Sequence, residues 1–155
     1  MAGKSGQQDK IERHAVLHRL TGTKKAHELC RLVEALYLAG RRVTVWVSDP
    51  SRAATLDEYL WTFAQHSFIP HGMWNGGDPM EDPVVVVTGT LGNPNGSEVL
   101  VVGDTLADPS LAAGWSEVHD LVTAAAEDAG KNEAWAAAGF TVREARGIGA
   151  GKASV

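Results

Sequence analysis

Apolar side chains recur along this chain with two periods, and the alternation of those periods predicts its elements. Ala15 to Leu20 is a short first strand candidate, and Thr21, Gly22 and Thr23 after it supply a turn and a helix N-cap. From Lys24 onward Leu29, Leu32, Val33, Leu36 and Tyr37 fall on one helical face, with Gly40 placed where a left-handed residue ends a helix. Val43 to Val47 alternates β-branched residues with Thr44 and Trp46 and reads as a second strand. Asp49-Pro50 then serves as N-cap and first residue of a second helix, whose buried side is Ala53, Leu56, Leu60 and Phe63, with Asp57 and Glu58 outside.

Beyond this point the signals change. Gly72 to Pro83 is a turn-rich loop ending in the strand Val84 to Val87. Residues 88–98, which carry Asn95-Gly96, separate that strand from Val99 to Val102; so short a link favours a hairpin over a crossover helix and predicts a mixed sheet. Trp115 to Val122 fits a helix by the spacing of Val118, Leu121, Val122 and Ala125, and fits a strand equally well. Ala124 to Ala138 has high helix propensity, and Gly139 closes it before a last strand, Phe140 to Val142. Helices near 24–39, 50–64 and 124–138 between strands make an α/β layered fold. One domain over 11–146 is expected, with residues 1–10 and 147–155 as mobile tails because they hold too little apolar surface to offset their ordering.

Composition narrows the function classes. The 155 residues, 44% hydrophobic, suffice for one core and not for two ordinary domains. The formal net charge of −5 argues against a generally cationic chain that neutralises phosphates, so no direct nucleic-acid binding is expected. The charge is uneven: residues 1–78 carry ten Lys/Arg and eight Asp/Glu, and residues 79–155 carry four and eleven. The second half should repel anionic partners. A lone cysteine, Cys30, excludes a disulfide framework and multi-cysteine metal schemes. Val84 to Val87 is the longest uniform aliphatic run and Met1 to Lys10 has no apolar core, so a soluble cytoplasmic protein without membrane partners is expected.

Chemistry is sparse. Gly89-Thr90-Leu91-Gly92 follows a strand but leads into another turn and strand, and neither a GxGxxG nor a Walker pattern occurs. His66, Ser67 and His71 lie close in sequence, yet no G-x-S-x-G elbow surrounds Ser67 and no acid stands out to orient either imidazole. His27 and Cys30 share a helical face but are too few for a closed zinc site. Asp57 and Glu58 diverge by about 100° on their helix and cannot work as an acid and base pair. No catalytic residue, cofactor or metal is predicted. What stands out is the crowding of Tyr59, Trp61, Phe63 and Phe68 around a helix end and a Pro-terminated extended segment, either as core or in part as an exposed anchor for a protein partner.

That segment, LDEYLWTF followed by HSFIPHG, resembles the signature of the chi subunit family of the bacterial DNA polymerase III holoenzyme. Cys30-Arg31-Leu32-Val33, Ala39-Gly40-Arg41-Arg42-Val43, Asp82-Pro83-Val84 and Ala138-Gly139-Phe140 agree with it, so the resemblance spans most of 15–142. It implies a three-layer α/β/α domain with a mixed, Rossmann-like sheet, and tips residues 115–122 toward strand. It also implies a non-enzymatic adaptor without cofactors, linking the clamp loader, through the psi subunit, to the acidic, Phe-terminated tail of single-stranded-DNA-binding protein.

Residue by residue, Trp61 and Phe68 match the aromatic positions that the family uses around psi, with Ile69, Pro70 and His71 shaping the same surface. In the family's tail pocket the chain departs: Ala125 and Ala129 replace basic residues and Asn132 an aromatic, leaving Lys131 and Trp135. Lys24, Lys25, Arg31, Arg41 and Arg42 are the first-half cations that could compensate. The alternative from another class is a small nucleotide- or ligand-binding α/β enzyme.

Overall fold

The computed structural model describes residues 12–20, 22, 24–63 and 68–145. The strands are β1 (His14–Arg19), β2 (Val43–Val47), β3 (His71–Trp74), β4 (Val84–Thr88), β5 (Val99–Val102), β6 (Glu117–Val122) and β7 (Thr141–Ala145). The helices are α1 (Lys25–Leu38), α2 (Pro50–Thr62) and α3 (Lys131–Ala137), with short 3-10 turns at Pro109–Ala112 and Ala126–Asp128. The expected tails, and Thr21 and Thr23 of the expected first cap, lie outside the described residues.

The strands form one sheet in the order β3-β4-β2-β5-β6-β1-β7, and every neighbouring pair is parallel. The helices α1 and α2 cover one face, where Leu29, Val33, Leu56 and Leu60 pack with Val45, Val86 and Val101. On the other face Trp115, Trp135 and Phe140 pack with Trp46, Val85 and Leu100. The result is the three-layer α/β arrangement expected. Burial on both faces explains the unbroken valine run of β4, since a central parallel strand has no solvent side.

The expected mixed sheet is corrected. β4 and β5 are not hairpin partners; β2 lies between them, with Val45 opposite both Val86 and Val101. A helix-free crossover replaces the hairpin, and a buried polar cluster holds it in place. Asn95 Nδ2 donates to the Asp82, Val43 and Pro83 carbonyls at 3.0, 3.2 and 3.3 Å. Thr44 Oγ1, fully buried on β2, lies 3.1 Å from Asn95 Oδ1 and 2.7 Å from Ser97 Oγ, which also accepts from Trp115 Nε1 at 3.1 Å. The Asn-Gly turn signal is therefore satisfied beneath the sheet. Asn95→Ala, which strips these groups of a partner, should cost about 2 kcal/mol in urea unfolding, the usual penalty for stranded buried polar groups.

Two further expectations shift. The third helix begins at Lys131 instead of near 124, because the Asp128 carboxylate accepts from the Thr123 amide at 2.7 Å and hydroxyl at 2.6 Å and so closes a loop where propensity favoured helix. Strand β3 occupies the head of the segment expected to be loop. Gly72 hides it, because glycine reads as a loop signal; here it lies in the strand, close to the flexible end of Met80, which a Cβ would meet at 2.6 Å. Gly40 and Gly139 take the expected left-handed conformation, with φ of +81° and +97°.

Candidate partner-docking site

Asp49 caps α2 by accepting from the Ser51 amide at 3.3 Å, and Pro50 starts the helix. With that register, Ala53, Leu56 and Leu60 face the sheet and Trp61, one residue further round, turns outward. Trp61 is 47% exposed and Phe68 63%, and their rings lie 5.4 Å apart. Beneath them, the His71 ring sits 4.3 Å from that of Trp61. Ile69 is buried in the core, and Pro70 is half-buried between it and β3.

The His71 side chain has no solvent exposure. Its Nδ1 lies 2.6 Å from the Ile69 carbonyl, and its Nε2 lies 3.1 Å from both the carbonyl and the Oδ1 of Asp57. Asp57, expected on a solvated face, thus orients the imidazole, which corrects the expectation that no acid does so. The device is positional. It pins the start of β3 to α2 and gives Trp61 a rigid floor.

The four crowded aromatics therefore divide. Tyr59 and Phe63 pack against the core, Tyr59 with its hydroxyl 3.4 Å from His27 Nδ1, whereas Trp61 and Phe68 form an outward ledge. Met73, 38% exposed on β3, joins the exposed apolar residues and was missed because its strand was. From Ala53 to Gly130 the sequence contains no Lys or Arg, so the charged neighbours in this stretch, such as Glu58, are acidic.

The two residues expected in a tail pocket turn inward. Lys131 Nζ lies 3.0 Å from Asp120 Oδ1, 3.0 Å from Asp128 Oδ1 and 2.8 Å from the Leu121 carbonyl, which engages all three of its donors. Trp135, 1% exposed, donates to Asp120 Oδ2 at 2.9 Å and meets Phe140 edge to face. Burial pushes the Asp120 carboxyl above its ordinary range, against the pull of Lys131 and the Trp135 indole. On the same segment Ala125, Ala129 and Asn132 are exposed. No cation faces outward there.

Other chemistry is accounted for. Gly89 accepts from Trp46 Nε1 at 2.8 Å, and Gly92 lies under the Trp74 ring, where a Cβ would come within 2.7 Å; these glycines serve packing. Cys30 is buried, and burial pushes its thiol up to about 12. Among the described residues no cluster of three or more His, Cys, Asp or Glu could hold a metal, and no helix is long and apolar enough to cross a membrane. His66 and Ser67 lie outside the described residues. A cavity of about 370 Å³ opens between α1 and α2 beside the carboxyl ends of β2 and β5. It is lined by Lys25, Leu29, Ser51 and Arg52 among others, without an acid, histidine or cysteine. Arg52 is itself held 3.0 Å from Asp104.

These features define a parallel three-layer α/β domain with a rigid aromatic ledge at one sheet edge. The family model of the DNA polymerase III chi subunit, HolC, matches residues 14–142, and the chain belongs to that family. It is 33% identical over 94 residues to the DNA polymerase III subunit chi of Pseudomonas aeruginosa, covering 60% of this chain and 63% of that one. The Escherichia coli subunit chi is 27% identical over 95 residues, covering 61% and 63%. The protein of Rickettsia prowazekii named for the same subunit is 32% identical over 74 residues, covering 48% and 44%. The chain thus spans less than two thirds of the length of these relatives. Among solved structures, S. cerevisiae Dbp5 bound to RNA and ADP-BeF3 has a TM-score of 0.65 at 13% identity, covering 94% of this chain and 44% of that one, a likeness of fold alone.

Proposed function

We propose that this chain is a non-catalytic adaptor of the replicative DNA polymerase, working in the cytoplasm without a cofactor and engaging the clamp-loader assembly through its psi subunit. The supporting observation is the Trp61–Phe68 ledge. Two large aromatics are held exposed on a floor made rigid by the His71–Asp57 pairing, the kind of apolar anchor that carries most of the energy of protein interfaces. Trp61→Ala and Phe68→Ala should each weaken capture of the cognate psi subunit by about 2 kcal/mol, about 30-fold in Kd, while leaving the melting temperature close to that of the parent. Unchanged affinity with a lowered melting temperature would make the two rings structural.

The adaptor's other arm is a grip on the acidic tail of single-stranded-DNA-binding protein, and we place it away from Lys131 and Trp135, which the core employs. Arg41 pairs with Glu117 at 3.1 Å, and Arg42 donates to the Asn95 and Glu81 carbonyls at 2.9 Å. Lys24, Lys25 and Arg31 are the remaining first-half candidates. Titration with the cognate tail peptide at two salt concentrations tests this arm: weak, salt-sensitive binding that falls with Lys24→Ala and Lys25→Ala supports it, and tight binding lost only on removal of Lys131 overturns it.

A further inference from the structure

The parallel sheet has two edges, and they are built differently. β7 carries Arg143 and Glu144, both exposed, with Glu144 paired to Arg19 at 3.1 Å; charge of this kind discourages a further strand. β3, His71-Gly72-Met73-Trp74, carries no Lys, Arg, Asp or Glu. Among the described residues its backbone pairs with β4 alone, so alternate N–H and C=O groups turn away from the sheet without a strand partner.

Side-chain packing holds this edge straight. His71 is fastened to Asp57 on the α2 face, and Trp74 on the opposite face donates to the Asp78 carbonyl at 3.0 Å while its ring covers Gly92. Met73, two residues beyond His71, lies on the same face as His71 and hence on the side of the aromatic ledge. An added strand would set every second side chain beside Met73, Trp61 and Phe68. Charge selects its type. Asp57 and Glu58 on α2 and Asp78 and Glu81 after β3 outweigh Arg42, whose guanidinium reaches the Glu81 and Asp82 carbonyls, and favour a cationic segment over an acidic one.

We propose that β3 is a strand-addition edge, at which an extended, Lys/Arg-bearing segment of the partner with apolar side chains at alternate positions continues the sheet alongside the Trp61–Phe68 ledge. This deepens the docking reading above and rests on it. Backbone pairing would supply affinity without sequence demands, and the ledge would set register through the side chains that meet it.

The test is amide hydrogen exchange by NMR on the full chain, free and bound to the cognate psi subunit, with the Trp61 indole resonance as an independent reporter of docking. The outward amides of β3 should exchange freely in the free chain and slow by about tenfold or more in the complex. Met73→Lys, an exposed change of the kind that natural edges use to repel strands, should weaken binding by about tenfold, and Met73→Leu should not. A shifted Trp61 indole with unchanged β3 amides overturns the inference and leaves the docking reading intact. No shift at either place overturns both. Protection that appears without psi and grows with chain concentration makes a second copy the occupant and overturns the choice of a cationic partner segment, as does binding that does not weaken with added salt.

Discussion

Lys131→Ala should destabilise the protein by about 3–5 kcal/mol, the cost of removing one member of a buried charge cluster and leaving the other charges unpaired. For a chain of this size that lowers the melting temperature by about 10 °C, measurable by circular dichroism. The reason lies in geometry: Asp120 and Asp128 are 2% and 5% exposed, and the ammonium lies 3.0 Å from each. Asp120 also accepts from the Trp135 indole and Asp128 from Thr123, so the defect would spread to the packing of α3 and to the loop before it. A variant that melts within about 1 kcal/mol of the parent would mean that Lys131 does not hold this cluster and is free to meet a ligand, as the family resemblance implied.

Acidification should weaken the fold by about 3 kcal/mol between pH 6.5 and pH 4, and further below that. His18 on β1 and His119 on β6 stack with ring centroids 5.0 Å apart. His119 Nε2 lies 2.6 Å from Glu117 Oε2, so it carries the hydrogen, and its Nδ1 accepts from His18 Nε2 at 2.8 Å. His18 Nδ1 is left buried without a partner. Protonation would add an N–H where nothing accepts it; burial first, then His119 and Arg143, lower its pKa to about 4.

The sign follows from proton binding. Between pH 6.5 and 4 the unfolded chain takes up a proton on His18 that the folded chain refuses, so stability is full above 6.5 and falls toward 4. Glu117, held at about 2 chiefly by its hydrogen bond to His119 and also by Arg41, extends the loss from about 4.5 downward. Asp128, lowered by Thr123 and Lys131 despite its burial, acts in the same direction, and the raised Asp120 opposes it. Urea unfolding at pH 7.5, 5.5 and 4 provides the measurement, with His18→Leu as the comparison. A parent whose stability is level from 7.5 to 4, or a variant that falls as steeply, would rule His18 out as the source.

Local signals and long-range pairing divide the origin of this structure between them. The periods of Leu29 to Leu36 and of Ala53 to Leu60, the Asp49-Pro50 cap and the glycines at 40 and 139 specify helices and their ends, because each acts within a few residues of itself. The candidate docking site was legible in the same way: the aromatics at 59, 61, 63 and 68 exceed what one buried helical stripe requires. Which two of the four face outward depended on the sheet, since only packing of Leu56 and Leu60 onto the strands turns Trp61 away.

Strand order was beyond the reach of spacing. A short link with Asn95-Gly96 suits a hairpin, but Thr44, a polar residue in a strand, is buried and draws Asn95 and Ser97 beneath β2, between two parallel neighbours. The role of Lys131 was likewise decided by tertiary structure. A lysine on a short helix reads as a surface cation until β6 brings Asp120 under it and the Thr123 loop brings Asp128. By itself the sequence determined the first two helices, most strands, the aromatic excess and the sign of the charge in each half, all of them properties of neighbours along the chain. Only the tertiary structure decided the parallel order, the buried ion cluster and the uncharged β3 edge, because each requires groups distant in sequence to meet in a medium that makes unpaired charge and unpaired backbone costly.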